Sequence, residues 1–419
     1  MMTRRECLAL TGSTLFAKPA RPRPNILLIY ADDLDADEIG CTRNAPHFPS
    51  YTRMKSLGMP SLRPYDDPRM LTPHIDSLAR DGANFTRLYC TSPLCTPSRC
   101  SLLTGRFASR SAGFQRLFPP GGPGNIVFNT SIGPEEPSLA KSLQELGYAT
   151  GVVGKWHNFL TGPLSDEVDK EIPENAAITD PAVARRVRDR YELALKTLRE
   201  GYGFDFVDRI NIGNTERYRP KAIRGQNLEW HLEGALDFLK QHHHRPFFLY
   251  FALPIPHGQY FDLRHLNLLA TVGGMLDKAP QVQPSRESIY QRLDAAGIKN
   301  PRNAMAIWMD DTVGALLKAL DSYKVAENTI VLFISDNPSR GKNSLYEGAR
   351  VPGLIRWPGV VKRGTVVDSL CANLDVPATL IEAAGGRPPD SMLQDGRSFL
   401  PQLKGKREPA GWRDQLLLE

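Results

Sequence analysis

Residues 24–33 read PNILLIYADD. Five consecutive apolar residues, 26–30, stand between a proline and a pair of carboxylates, the pattern of a central strand buried on both faces. Three more runs repeat it: ATGVV at 149–153, FFLYFA at 247–252 and TIVLFI at 329–334. Each of the three follows a segment with helical spacing. Ahead of the first, Leu139, Leu143 and Leu146 fall at i, i+4 and i+7, between a Ser138 suited to begin a helix and a Gly147 suited to end it. Leu232, Ala235, Leu236 and Leu239 precede the second run, and Met309, Val313, Leu316, Leu317 and Leu320 the third. This alternation predicts the α/β class, with a mostly parallel central sheet sandwiched by helices.

The 419 residues are enough for a sizeable core, and 41% hydrophobic with 23% charged residues describes a globular chain rather than a disordered or fibrous one. The formal net charge of +6 is a mild excess, compatible with anionic substrates and too weak to indicate nucleic acid. No stretch of about 18 apolar residues is present, so no membrane span is expected. Residues 1–24 differ from the rest. Arg4 and Arg5 precede a weakly apolar run from Cys7 to Phe16, the order of an export signal similar to the bacterial twin-arginine (Tat) type. Residues 25–419 are then expected to form one domain, exported to the periplasm or secreted. The six cysteines show no zinc spacing, and a bridge between Cys90 and Cys100 stays open.

Two features lie off the strand pattern. Asp180 and Pro181 open a helix over 181–200, whose arginines 185, 186, 188 and 190 read as a solvated basic face. Residues 259–300 lack periodicity and predict a long excursion of the kind that carries specificity. His242, His243 and His244 read as a surface turn.

Polar residues follow every strand at its carboxyl end: Asp32 and Asp33, Lys155 and His157, His257, and Asp336 and Asn337. Open α/β sheets bind ligands along that edge. Three carboxylates and an amide oxygen are a hard-oxygen set suited to Ca²⁺ or Mg²⁺ and poor for zinc. Either acidic pair alone would be an ordinary turn or cap; two on separate strands favour a cation. Residues 93–106, PLCTPSRCSLLTGR, predict a short helix starting at 96–98 and stopping at Gly105, with Cys95 at its positive end. A thiol there would have a lowered pKa; the alternative is a buried cysteine on an ordinary capped helix.

At this point the sequence resembles the type I sulfatases of the alkaline phosphatase superfamily. Their signature, C-x-P-S-R with a following T-G-R, matches Cys95 to Arg99 and Thr104 to Arg106. The likeness continues in residues 24–33, 72–90 (TPHIDSLARDGANFTRLYC), 154–157 (GKWH), 254–258 (PIPHG), 328–337 (NTIVLFISDN) and 341–359 (GKNSLYEGARVPGLIRWPG). What the resemblance implies is an alkaline phosphatase-like fold that hydrolyses sulfate monoesters, with carbohydrate sulfates as the expected substrates.

It also implies that a formylglycine-generating enzyme converts Cys95 to Cα-formylglycine. The aldehyde hydrates to a geminal diol; one hydroxyl attacks sulfur, and deprotonation of the other expels sulfate. Asp32, Asp33, Asp336 and Asn337 match the calcium ligands, joined by position 95; calcium is expected in preference to magnesium. Arg99 matches the residue steadying the diol. Lys155 and His157 match a sulfate contact and the base that triggers elimination, and His257 and Lys342 match sulfate contacts, either able to protonate the leaving alcohol. Two departures stand out. The loop after Asn337 is short, Pro338-Ser339-Arg340 running directly into Gly341-Lys342, and the family's C-terminal subdomain is largely absent. Alternative readings are a phosphonate or phosphodiester hydrolase of the same superfamily and a catalytically silent homologue that binds sulfated glycans.

Overall fold

The computed structural model describes residues 22–43 and 69–419, apart from positions 120, 123, 129, 160–163, 165–167, 259–261, 301, 340–341, 343–345 and 393. The twin-arginine segment and Cys7 lie outside the described residues. Eight strands form the main sheet: β1 (Asn25–Asp32), β2 (Ala83–Phe85), β3 (Ala149–Lys155), β4 (Phe206–Asn211), β5 (Phe247–Pro256), β6 (Thr329–Ser335), β7 (Gly353–Arg356) and β8 (Thr365–Val367). Their order is β8-β2-β7-β6-β1-β5-β3-β4. Only β7 runs against its neighbours, antiparallel to β6 and to β2. The four predicted strands are therefore the parallel run β6-β1-β5-β3, and β4, which the sequence reading did not include, extends it in parallel beyond β3.

Side chains of β1 alternate between two cores. Ile26, Leu28 and Tyr30 face one layer with α2 (Cys95–Thr104), α3 (Leu139–Glu145), part of α4 (Pro181–Gly201) and α8 (Asp375–Ala383). Leu27, Ile29 and Ala31 face the other, with α1 (Pro73–Arg80), α5 (Leu228–His242), α6 (Arg286–Ala296) and α7 (Arg302–Ser322). Each leucine or isoleucine buried this way contributes roughly 1.5–3 kcal/mol. That two-sided burial is why the strand carries a continuous apolar run. The helices begin where expected: Ser138 accepts from the Lys141 N–H, and Asp180 accepts from Ala182 and Val183.

Several expectations are corrected. The 259–300 excursion contains α6 and a small ladder pairing Ala270–Thr271 with Gly274–Met275. The spacing in α6 is helical, but its exposed polar face hides the period. Cys90 and Cys100 are both free, buried thiols, so that bridge is not made. Gln415 to Leu418 look in sequence like the opening of another strand but form no ladder, although the Glu419 N–H donates to the Thr91 carbonyl. On α4, Arg186 pairs with Glu171 at 3.0 Å, and the Arg190 guanidinium covers the Tyr218 ring at 5.3 Å. Part of the basic face is thus engaged with protein.

Candidate active site

Parallel register aligns the carboxyl ends of the central strands. Tyr30 is level with Ile334 and with Ala252, and Ala252 with Gly154, so the residues just beyond them emerge along one edge. Gly154 permits this closeness. Its φ is +98°, and a Cβ there would stand 1.9 Å from the Ala252 carbonyl oxygen.

The signature helix α2 lies against this edge, ending at Gly105 in the left-handed region and starting at Cys95 itself, one residue before the predicted start. Every residue of α2 is buried despite its polar sequence. The polar atoms find partners: the Ser98 hydroxyl donates to the Asp336 carbonyl, lies 2.9 Å from the Tyr30 hydroxyl and accepts from Asn373 Nδ2 at 2.9 Å. Asn158 Nδ2 donates to the Thr96 carbonyl at 3.0 Å.

Nine of the ten site residues expected from the sequence join in contacts no longer than 3.7 Å. Cys95 Sγ lies 3.3 Å from Asp32 Oδ1. Arg99 Nη2 reaches Asp32 Oδ1 at 3.2 Å and Asp336 Oδ2 at 2.8 Å, while its Nη1 donates to the Lys155 carbonyl at 3.0 Å. Lys155 Nζ donates to Asp32 Oδ2 at 2.6 Å. Asp336 Oδ1 accepts from the backbone N–H groups of Asp33 and Asn337. Asn337 Nδ2 donates to Asp33 Oδ1 at 2.6 Å, and His257 Nε2 stands 3.7 Å from Asp33 Oδ2. Lys342 Nζ closes the set at 2.7 and 2.8 Å from the two oxygens of Asp33. The tenth, His157, lies two residues beyond Lys155 with its ring facing Phe128, centroids 6.3 Å apart. Of the five described non-glycine residues with positive φ, three, Asp33, His157 and Lys342, belong to this expected set.

Electrostatics in this buried space depart from solution values. Burial pushes the Cys95 thiol well above its ordinary pKa, and Asp32 adds to the effect. The lowering expected from the helix terminus is therefore overturned: full burial beside a carboxylate outweighs the dipole. The unmodified thiol is a poor nucleophile. Against the cost of burial, Lys155, His257 and Arg99 hold Asp32 well below the carboxylate range. Burial, then the Asp32 charge, push Asp336 up to about 8.

One oxygen or sulfur from each of Asp32, Asp33, Cys95 and Asp336 lies within 4.8 Å of all the others, close enough to share one ion. Asn337 Oδ1 is buried without a hydrogen-bond partner, an acceptor with spare capacity beside them. This donor set fits a hard divalent cation. Three carboxylates face three permanent cations, Arg99, Lys155 and Lys342, so a bound divalent ion would leave the site net positive and receptive to an anion.

Tyr30, Ser98, Asn158 and Asn373 were not anticipated, nor was Tyr250, whose hydroxyl accepts from Arg99 Nη1 at 3.4 Å. The two tyrosines carry the only hydroxyls in their apolar runs, which was a readable sign; Asn373 offers none.

The fold is shared with a phosphonate monoester hydrolase of Agrobacterium radiobacter, TM-score 0.53 at 19% identity, covering 94% of this chain and 79% of that one. It is also shared with a structure solved with its substrate, D-glucosamine-2-N,6-O-disulfate, TM-score 0.59 at 18% identity, covering 93% and 82%. These likenesses show a shared fold, a mixed α/β architecture with a large central sheet flanked by helices. The sulfatase family model matches residues 24–386, and the chain belongs to that family of sulfuric ester hydrolases. It is 27% identical to the steryl-sulfatase of Rattus norvegicus over 93% of this chain and 71% of that protein. It is also 27% identical to the N-acetylgalactosamine-6-sulfatase of Homo sapiens over 92% and 67%.

Proposed function

We propose that the protein hydrolyses carbohydrate sulfate monoesters, R–O–SO₃⁻ + H₂O → R–OH + SO₄²⁻ + H⁺, with formylglycine made from Cys95 as nucleophile and Ca²⁺ as the bound ion. The observation that carries this reading is Cys95 Sγ packed 3.3 Å from Asp32 inside a cluster of three carboxylates. Asp32, Asp33, Asp336 and Asn337 would hold the cation, which supplies positive charge for the developing oxyanion, and its preference for oxygen ligands in irregular number suits calcium. The aldehyde hydrate at position 95 supplies the attacking hydroxyl and the second hydroxyl whose deprotonation releases sulfate.

The remaining chemistry belongs to side chains. Arg99 and Lys155 fix the Asp32 carboxylate from two directions and keep it ionised. Lys155, His257 and Lys342 bring positive charge and N–H donors to the sulfate oxygens. His157 takes the proton of the second hydroxyl, and His257 or Lys342 gives one to the departing alcohol. Maturation requires a separate formylglycine-generating enzyme, and residues 1–24 direct export by a Tat-like route.

Sulfate release from sulfated sugars and from an aryl sulfate, measured beside an aryl phosphodiester, tests the reading. Faster turnover of the sulfate esters, abolished in Cys95→Ala, supports it. Preference for the phosphodiester points instead to a phosphonate or phosphodiester hydrolase, and glycan binding without turnover by modified protein to a silent homologue.

A further inference from the structure

Two loops carry the site's acidic pairs, one after β1 and one after β6, and a separate group of side chains ties them together away from the carboxylate cluster. Arg302, the first residue of α7, has a side chain only 9% exposed. Its guanidinium grips Glu38 through Nε and through Nη2, the latter 2.6 Å from Oε2. The same Nη2 donates to Ser339 Oγ at 3.0 Å and approaches the Asp33 carbonyl at 3.5 Å. The Ser339 hydroxyl donates to Asp35 Oδ2, and Glu38 Oε2 also accepts the Asp35 N–H at 3.0 Å.

Ser339 stands three residues before Lys342, in the loop that is shorter than in the family. A lysine on a short loop would ordinarily keep its rotamer freedom in solvent. Here Lys342 has φ of 25° and its Nζ bonds to both oxygens of Asp33. Among the described residues, Ser339 is the nearest one before Lys342 whose side chain is anchored to protein on both its donor and acceptor sides.

We propose that Arg302 and Ser339 are positioning residues: the Arg302–Glu38–Asp35–Ser339 group sets the short loop so that Lys342 is presented to the sulfate beside Asp33. This rests on the sulfatase reading, and it assigns to α7, whose residues 303–313 are buried, a role in anion binding. A charged fork buried against two loops is rigid enough to transmit position, since both of its acidic partners and Ser339 are fixed relative to the helix.

The test is a double-mutant cycle on calcium-loaded, formylglycine-containing protein: wild type, Ser339→Ala, Lys342→Ala and the double variant, with Arg302→Lys as a second probe of the same link. The readouts are the dissociation constant of inorganic sulfate by calorimetry, and kcat and KM for an aryl sulfate. Ser339→Ala removes both hydrogen bonds of the hydroxyl and is expected to raise the sulfate constant and KM roughly three- to tenfold, with a smaller change in kcat. In the Lys342→Ala background the same change should add nothing. Unchanged sulfate binding in Ser339→Ala, or an equal loss with and without Lys342, overturns the proposal while leaving an active wild type as a sulfatase. A matured wild type that neither binds nor releases sulfate overturns both.

Discussion

Lys155 Nζ donates to Asp32 Oδ2 at 2.6 Å, with both side chains almost wholly withdrawn from water. Asp32 is also bound by Arg99 and touched by Cys95, so one carboxylate links the end of β3, the start of α2 and the end of β1. Charge and fold are coupled at this point. Replacing Lys155 by Met leaves Asp32 with His257 and Arg99 to offset its burial and, on the proposed mechanism, removes a sulfate contact. A buried pair broken on one side costs roughly 3–5 kcal/mol, and loss of one preorganised donor costs about 10²–10³ in turnover. Urea unfolding and steady-state kinetics of Lys155→Met should show both losses; a fall in stability with normal turnover would remove Lys155 from the chemistry.

A cation bound among Asp32, Asp33, Asp336 and Asn337 stabilises the folded chain by mass action, about 2.7 kcal/mol at a hundredfold excess over its dissociation constant. Calcium added to chelator-treated protein should therefore raise the melting temperature and restore activity, magnesium less so. Asp33→Asn should blunt both responses. Melting that ignores calcium would contradict the assigned donor set.

Two buried groups far from the cluster give the stability opposing pH slopes. Burial pushes His231, whose Nδ1 lies 2.7 Å from the Arg209 carbonyl, down to about 4. The unfolded chain takes up that proton near pH 6.5, so this contribution is complete above roughly 6.5 and lost as pH falls toward 4. Burial pushes Asp310 up to about 7, while its carboxylate accepts the Ile75 and His74 N–H groups that open α1. The folded chain holds that proton longer than the unfolded one, so this contribution is complete below about 4 and lost as pH rises through 7. Between those limits each slope is at most about 1.4 kcal/mol per pH unit, and they oppose. Urea midpoints should fall with rising pH in His231→Gln and rise in Asp310→Asn, each relative to wild type. Slopes equal to wild type in both variants would refute the assignment.

Gly154→Ala would drive a Cβ into the Ala252 carbonyl at a backbone angle that L residues avoid. The two strands must separate or Lys155 must shift. A loss of roughly 2–5 kcal/mol is expected in urea unfolding, together with a fall in turnover larger than the unfolded fraction explains. Near-normal stability would show that β3 and β5 have room the geometry denies.

The sheet was legible because its central strands are buried on both faces and cannot be anything but apolar, yet each apolar run stops short of the strand. β1 extends to Asp32, β3 to Lys155 and β6 to Ser335, so the site begins within the ladder itself. The three-residue strands β2 and β8 and the antiparallel β7 carry no periodicity of their own and are fixed by packing. Site residues could be placed on one edge from chain order and from the family likeness. Their protonation could not, since the raised Cys95 thiol follows from burial and from a carboxylate 63 positions away. The Arg302–Ser339 link joins positions 37 apart through side chains that look like ordinary loop polarity in sequence.

Mass spectrometry of the Cys95 peptide, from protein produced with a formylglycine-generating enzyme and assayed in parallel for sulfate release, examines the nucleophile directly. Active protein should carry the aldehyde at position 95, with release rising in proportion to the modified fraction. Full activity in a sample whose Cys95 is entirely unmodified would contradict the proposed chemistry.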